Sequence, residues 1–179
     1  LIQVARDNQG DFWFVRGKTL YKYRIQDSST VKMLDLPGPV RNLTFDAHQR
    51  LIVSIVDQGI WLLNETDIVL EPFFSQKQQQ DLSPFYQDLY FIEAEQDGTI
   101  WGGITEENIP GGLFVYNSVT EDIKLHLEQY WITDLKITPQ YVVVSTRDKG
   151  IWAYEKETKV WSQIKSDKHY LLFTWSMIK

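Results

Sequence analysis

Apolar and polar residues alternate along this chain in short runs, each closed by a turn signal. The first unit reads as an inner run at 2–5, FWFV at 12–15, LYKYR at 20–24 and VKML at 31–34. A period of two is the pattern of β-strands, whose successive side chains point to opposite faces of a sheet. The sustained 3.6-residue period of an amphipathic helix is absent, which predicts an all-β chain.

The runs recur. VARDNQGDFW at 4–13 lines up with IEAEQDGTIW at 92–101, matching Asp7 to Glu95, Gly10 to Gly98 and Trp13 to Trp101. LTFDAHQRLI at 43–52 is a degenerate copy that keeps Asp46 and has Gln49 in place of the glycine. In LKITPQYVV at 135–143, Pro139 replaces the acidic turn. A second anchor follows each copy: TLYKY at 19–23, GIWLL at 59–63, GLFVY at 112–116 and GIWAY at 150–154. Its central residues, Tyr21, Trp61, Phe114 and Trp152, lie 40, 53 and 38 residues apart. Two polar inserts, around 76–81 and at 106–111, account for the long middle spacing. Asp7 is suited to accept backbone N–H groups across its turn, and Gly10 to take a positive φ there. Asp57-Gln58-Gly59 and Asp148-Lys149-Gly150 read as hairpin turns, with outer strands expected at 123–127 and 160–164.

A period near 40 residues with four strand-like runs per unit is the arithmetic of a β-propeller. The expected four-stranded blades are 1–39, 40–87, 88–131 and 132–168, and 169–179 reads as the inner strand of a fifth, centred on 175–178. Four blades and one strand make an open ring. The expectation is therefore a fragment of a larger propeller, of about seven blades, whose open edges invite a homodimer.

The order of acid, two residues, glycine and aromatic, followed by glycine–apolar–aromatic, resembles the two-component regulator propeller repeat. The first and third units match best, with Glu95 standing for Asp and Gly102-Gly103-Ile104 following Trp101. The second and fourth depart from it, lacking the glycine and the tryptophan of the first anchor. The resemblance spans nearly the whole chain on short motifs. It implies the periplasmic sensor region of a hybrid histidine kinase or a related membrane-anchored signalling protein, with the kinase or cyclase output and the membrane segments outside this chain. Other propellers fit less well. The Gly-His and Trp-Asp pairs of WD repeats are absent, the double glycines are out of phase with kelch repeats, and Gln96 breaks the Asp-box of sialidases.

Composition narrows the function. The net charge is −6 with both signs mixed along the chain, so no basic stripe exists for nucleic acid. No apolar run reaches the roughly 18–20 residues of a membrane helix. A chain of 179 residues buries roughly 70% of its unfolded surface, and it contains no cysteine, which excludes thiol catalysis and zinc–thiolate sites. No cofactor, metal centre or catalytic residue is expected: His48, His126 and His169 are isolated from further ligands, with His48 and His126 read as surface residues. Glu106-Glu107 reads as a solvated loop. Asp7, Asp46 and Glu95 read as turn residues, and Trp13, Trp61, Trp101 and Trp152 as packing between adjacent sheets.

Propeller chemistry is expected on the rim where the links between blades meet the second-to-third hairpins. The links carry Phe85, Tyr86, Tyr90, Tyr130, Trp131 and Tyr170, and the hairpins Arg16, Asp57, Glu106, Arg147 and Asp148. From these, Arg16, Tyr86, Glu106, Trp131, Arg147 and Tyr170 are the candidate ligand-binding residues, suited to a small polar ligand such as a saccharide. The same aromatics serve, more simply, as plugs between blades. Three functions remain open: a ligand-sensing module, a protein-interaction scaffold, and a propeller lyase or hydrolase, which would need converging acid–base groups.

Overall fold

The computed structural model describes residues 3–82, 89–104 and 111–165, with Tyr90 described by its backbone alone. The first sheet holds β1 (Val4–Arg6), β2 (Phe12–Arg16), β3 (Thr19–Arg24) and β4 (Ser29–Asp35). The second holds β5 (Val40–Phe45), β6 (Leu51–Ile55), β7 (Gly59–Asn64) and β8 (Val69–Pro72). The third follows a short helix, α1 (Gln76–Asp81), with β9 (Leu89–Ala94), β10 (Thr99–Ile104), β11 (Gly112–Asn117) and β12 (Ile123–His126). The fourth holds β13 (Ile132–Ile137), β14 (Tyr141–Thr146), β15 (Ile151–Glu155) and β16 (Val160–Ile164). Each sheet is an antiparallel meander in chain order, and the inner strands β1, β5, β9 and β13 pack side by side in that sequence. The expected strand at 175–178 lies outside the described residues.

Strand register superimposes the four blades. Val4, Leu43, Ile92 and Leu135 face Phe14, Val53, Gly102 and Val144 across the first ladder. Those four in turn face Tyr21, Trp61, Phe114 and Trp152. The second anchor thus occupies one position in all four blades.

Each blade has a forward face toward the next blade and a back face toward the previous one, and three clusters fill the interfaces between them. Forward residues Trp13, Val15 and Leu20 of blade 1 meet back residues Leu43, Leu51, Val53, Ile55 and Leu63 of blade 2. Ile52 and Ile60 meet Ile92, Ile100, Ile104, Phe114 and Tyr116. Trp101 and Leu113 meet Leu135, Val142 and Val144. Trp61 and Trp152 join these clusters from their margins, half-buried, and each donates its indole N–H to a hairpin carbonyl, Gln58 O and Lys149 O, both at 3.0 Å. They are less buried than the sequence reading expects because one edge of each ring seals a hairpin.

The acidic turn and the tryptophan form one device. Asp7 Oδ1 accepts the backbone N–H groups of Gln9 and Asp11, while its Oδ2 accepts the Trp13 indole N–H at 3.0 Å. In blade 3 Glu95 Oε1 accepts from Trp101 Nε1 at 2.7 Å, and Lys156 of blade 4 pairs with the same carboxylate. Blade 2 has Ile52 at the tryptophan position, and there the second oxygen of Asp46 turns to Arg50 at 2.7 Å. Gln49 adopts the left-handed φ, 61°, that Gly10 takes at 90°. Its Oε1 accepts the backbone N–H of Asn8, tying the two neighbouring turns together, which a glycine could not do.

The polar insert at 76–81, to which the sequence reading assigns no element, is a helix. Ser75 caps it, accepting from Gln78 N while the Gln78 side chain returns to the Ser75 N–H. Buried Phe74 and Leu82 clamp its two ends, Phe74 packing edge-on against Phe114 and Tyr116. The outer strand of blade 3 ends at His126, one residue early, because Leu127 takes a left-handed φ of 46°.

Gly102 lies beneath the Phe114 ring, and a Cβ there would stand 1.7 Å from Phe114 Cε1. Gly102→Ala is expected to destabilise the chain by about 1–3 kcal/mol, and adding Phe114→Leu to recover part of that loss, both read by urea unfolding. Burial works to raise the Asp7 carboxyl, but hydrogen bonds from Trp13 and Lys22 and the Asp11 N–H outweigh it and hold the group below its ordinary value. A depressed folded value places this contribution to stability above the ordinary carboxylate range and removes it as the pH falls through that range. Asp7→Asn should flatten this part of the stability–pH curve, and an unchanged acid limb would refute the assignment.

Candidate ligand-binding rim

The links and the second-to-third hairpins share one rim, and the inner strands deform where they reach it. In β5 the register slips between Val40 and Asn42, in β13 between Ile132 and Asp134, and the β9–β10 ladder slips at Leu89 to Phe91. The residues bulged out are Arg41, Thr133 and Tyr90, one equivalent position in three blades. A bulge bends the strand and re-aims the side chain, so Arg41 and Thr133 leave the strict alternation. Thr133 Oγ1 then lies 2.8 Å from the buried Ser145 Oγ. Arg41 is only 9% exposed, with its guanidinium 4.0 Å from Asp57. Sequence reasoning missed this feature, although two polar residues in succession at Arg41-Asn42 and Thr133-Asp134 interrupt the alternation there.

Of the six sequence-predicted residues, the structure brings two together. Arg147, on the hairpin after β14, lies with its guanidinium 4.4 Å from the centre of the Trp131 ring. Its backbone N–H donates to Trp131 O at 2.9 Å, which locks the link onto the hairpin. Beside them Tyr130 packs edge-on to Trp152 at 5.6 Å, so the neighbouring aromatic is part of the core. Arg16 is exposed at the end of β2, where a tight turn through Gly17 returns the chain to β3. Tyr86, Glu106 and Tyr170 lie outside the described residues. The pair sets a cationic group against an aromatic face on one rim, two groups of the kind that contact polar ligands. A further concavity of about 690 Å³ runs between α1 and the outer edge of blade 3, and none of the six residues lines it.

His126 departs from its expected surface position. It is half-buried among Trp101, Tyr154 and Trp161, and Trp161 Nε1 donates to its Nδ1 at 3.3 Å. Burial, reinforced by the charge of Lys124, holds the imidazole below its ordinary value of 6.5.

Among the described residues no group of three or more His, Cys, Asp or Glu could hold a metal ion, and no helix is long and apolar enough to cross a membrane.

No family model and no curated protein matches the chain. Solved structures do. An extracellular domain assigned to a hybrid two-component system of B. thetaiotaomicron is 16% identical over 96% of this chain and 22% of its own length, with a TM-score of 0.68. An auxiliary nutrient binding protein from Bacteroides thetaiotaomicron is 12% identical over 90% of this chain and 40% of its own, with a TM-score of 0.67. A gluconolactonase from Xanthomonas campestris is 14% identical over 86% and 57%, with a TM-score of 0.66. The chain therefore spans between about a fifth and three-fifths of these proteins.

Because the folded imidazole is held below its unfolded value, the His126 contribution is complete above the ordinary histidine range and is lost as the pH falls through it. An NMR titration should place His126 below an unstructured histidine, and a normal value would refute the packing described. At this level of identity the comparison establishes the fold, and on that ground the chain is a β-propeller of four-stranded antiparallel blades.

Proposed function

We propose that this chain is a ligand-sensing propeller module of an extracytoplasmic receptor of the two-component type, taking a small polar ligand such as a saccharide on its rim. The observation that carries the reading is the Arg147–Trp131 pair at the mouth of blade 4. It joins an aromatic surface to a cationic side chain, a combination that gives a polar ligand both contact area and charge. The structural likeness to a two-component extracellular domain and to a nutrient binding protein supports a binding role, and the acid–tryptophan repeat supports the same family of sensors.

Titration with a panel of soluble oligosaccharides, followed by calorimetry and tryptophan fluorescence, tests this. At least one saccharide should bind. Trp131→Ala and Arg147→Ala should each weaken it tenfold or more, about 1.4 kcal/mol, with Glu65→Ala on the opposite rim as the unaffected control. A panel without binders, or binding indifferent to both rim substitutions, would overturn the reading. Turnover of a bound sugar would replace it with an enzymatic one.

A further inference from the structure

The outer strands supply one pair of register positions to each seam between blades. Between blades 1 and 2 the pair is Leu34 and Leu70, which share a cluster. Between blades 2 and 3 it is Phe73 and Ile123, again in one cluster. Between blades 3 and 4 the same positions hold His126 and Trp161, and the contact becomes a hydrogen bond. Trp161 Nε1 donates to His126 Nδ1 at 3.3 Å, with the ring centres 6.1 Å apart. One seam of the three thus carries a titratable group where the repeat places apolar ones.

The neutral imidazole suits this place and the cation does not. A ring nitrogen that accepts a hydrogen bond carries no proton, so the hydrogen of neutral His126 lies on Nε2. Protonation makes both nitrogens donors, sets an Nδ1–H against the Trp161 N–H, and leaves no ring flip that restores an acceptor. The surroundings offer the cation nothing in exchange. On its own strand stands Lys124, whose charge opposes a second one. Leu113 faces His126 across the ladder from β11. From β10 the Trp101 ring lies at 6.3 Å, and Glu95, the carboxylate that holds this indole, is already paired with Lys156. From β15 comes the Tyr154 ring at 5.9 Å, a phenol that burial keeps neutral. Among the described residues no carboxylate pairs with His126.

The residue after His126 opens the link that carries Trp131. Leu127 takes its left-handed turn there, and the Tyr130 N–H returns to Leu127 O at 3.1 Å. The Gln129 N–H donates to Gly111 O at 2.7 Å and the Arg147 N–H to Trp131 O, so two backbone bonds fasten the link. We propose that His126 and Trp161 form an acid-sensitive latch that closes the outer seam between blades 3 and 4 and, through the link, holds the rim pair Arg147–Trp131. The latch is closed at neutral pH and opens as the pH falls through the ordinary histidine range, because only in the open seam does the imidazole take a proton without meeting the indole N–H. As a control over ligand binding the latch rests on the binding role proposed above; as a property of the seam it does not.

Amide hydrogen exchange of the ligand-free chain at about pH 7.5 and pH 5, each rate divided by its intrinsic value, reads the seam directly. At the lower pH the Gln129 and Arg147 amides should lose about threefold of their protection or more, while the β6 amides of blade 2 keep theirs. His126→Gln retains an acceptor for the indole but does not titrate, and His126→Leu restores the residue type of blade 1. Each should abolish the loss, and either suffices if the other fails to fold. An equal loss in β6, no loss at the two link amides, or a loss that persists in the variants would overturn the proposal. These rates are read without ligand, so a rim that binds no saccharide and a seam without a latch give different results.

Discussion

A blade of this kind cannot bury both of its faces alone, and that constraint organises the molecule. Each meander is two-sided and apolar on both sides, so it acquires a core only when the next sheet closes over it. The clusters accordingly lie between blades, not within them. Ile52, for example, belongs to blade 2 but reaches the cluster that buries Ile92 and Phe114 of blade 3. Polar links follow the same interfaces: Ser54 Oγ donates to Leu89 O across blades 2 and 3 at 2.7 Å. Lys136 reaches Glu93 across blades 3 and 4 at 2.6 Å. Stability in such an architecture resides in neighbour-to-neighbour contacts, as in other repeat proteins.

The acid–tryptophan pair is the second element of this logic. A carboxylate that caps a tight turn still has one oxygen to satisfy, and a buried indole still has one N–H. Placing the two at opposite ends of the same hairpin satisfies both at once. Where the tryptophan is absent in blade 2, the free oxygen of Asp46 takes Arg50; blade 4 dispenses with the pair, and Thr138 Oγ1 accepts the Tyr141 N–H in a shorter turn. The rim is built by the opposite strategy. There regular pairing gives way to bulges at Arg41, beside Asp57, and at Thr133, two residues after the Trp131 that Arg147 covers. Regular ladders supply the frame, and local departures from them supply the polar groups.

Much of the fold was readable in the residues. The positions of Tyr21, Trp61, Phe114 and Trp152, identified by their Gly-apolar-aromatic context, coincide with a single register position in four sheets. The turns at Asp7, Asp57 and Asp148 were legible because their chemistry is local. Helix α1 was not, since six residues of lysine, glutamine and aspartate have no amphipathic period, and only the packing of Phe74 and Leu82 at its ends holds it. His126 escaped for a related reason: its outer-strand position reads as surface until the neighbouring blade brings Tyr154 and Trp161 against it.

The sequence by itself determined the strand periodicity, the repeat and the turn chemistry, because each depends on residues only a few positions apart. Tertiary structure alone decided which face of each blade is buried, that Arg147 lies on Trp131, and that Phe45 of blade 2 lies edge-on against Trp13 of blade 1. Those facts depend on contacts between residues separated by a whole repeat or by several turns. Alternation along a strand states that two faces exist; the neighbour that covers each face is chosen only when the sheets pack.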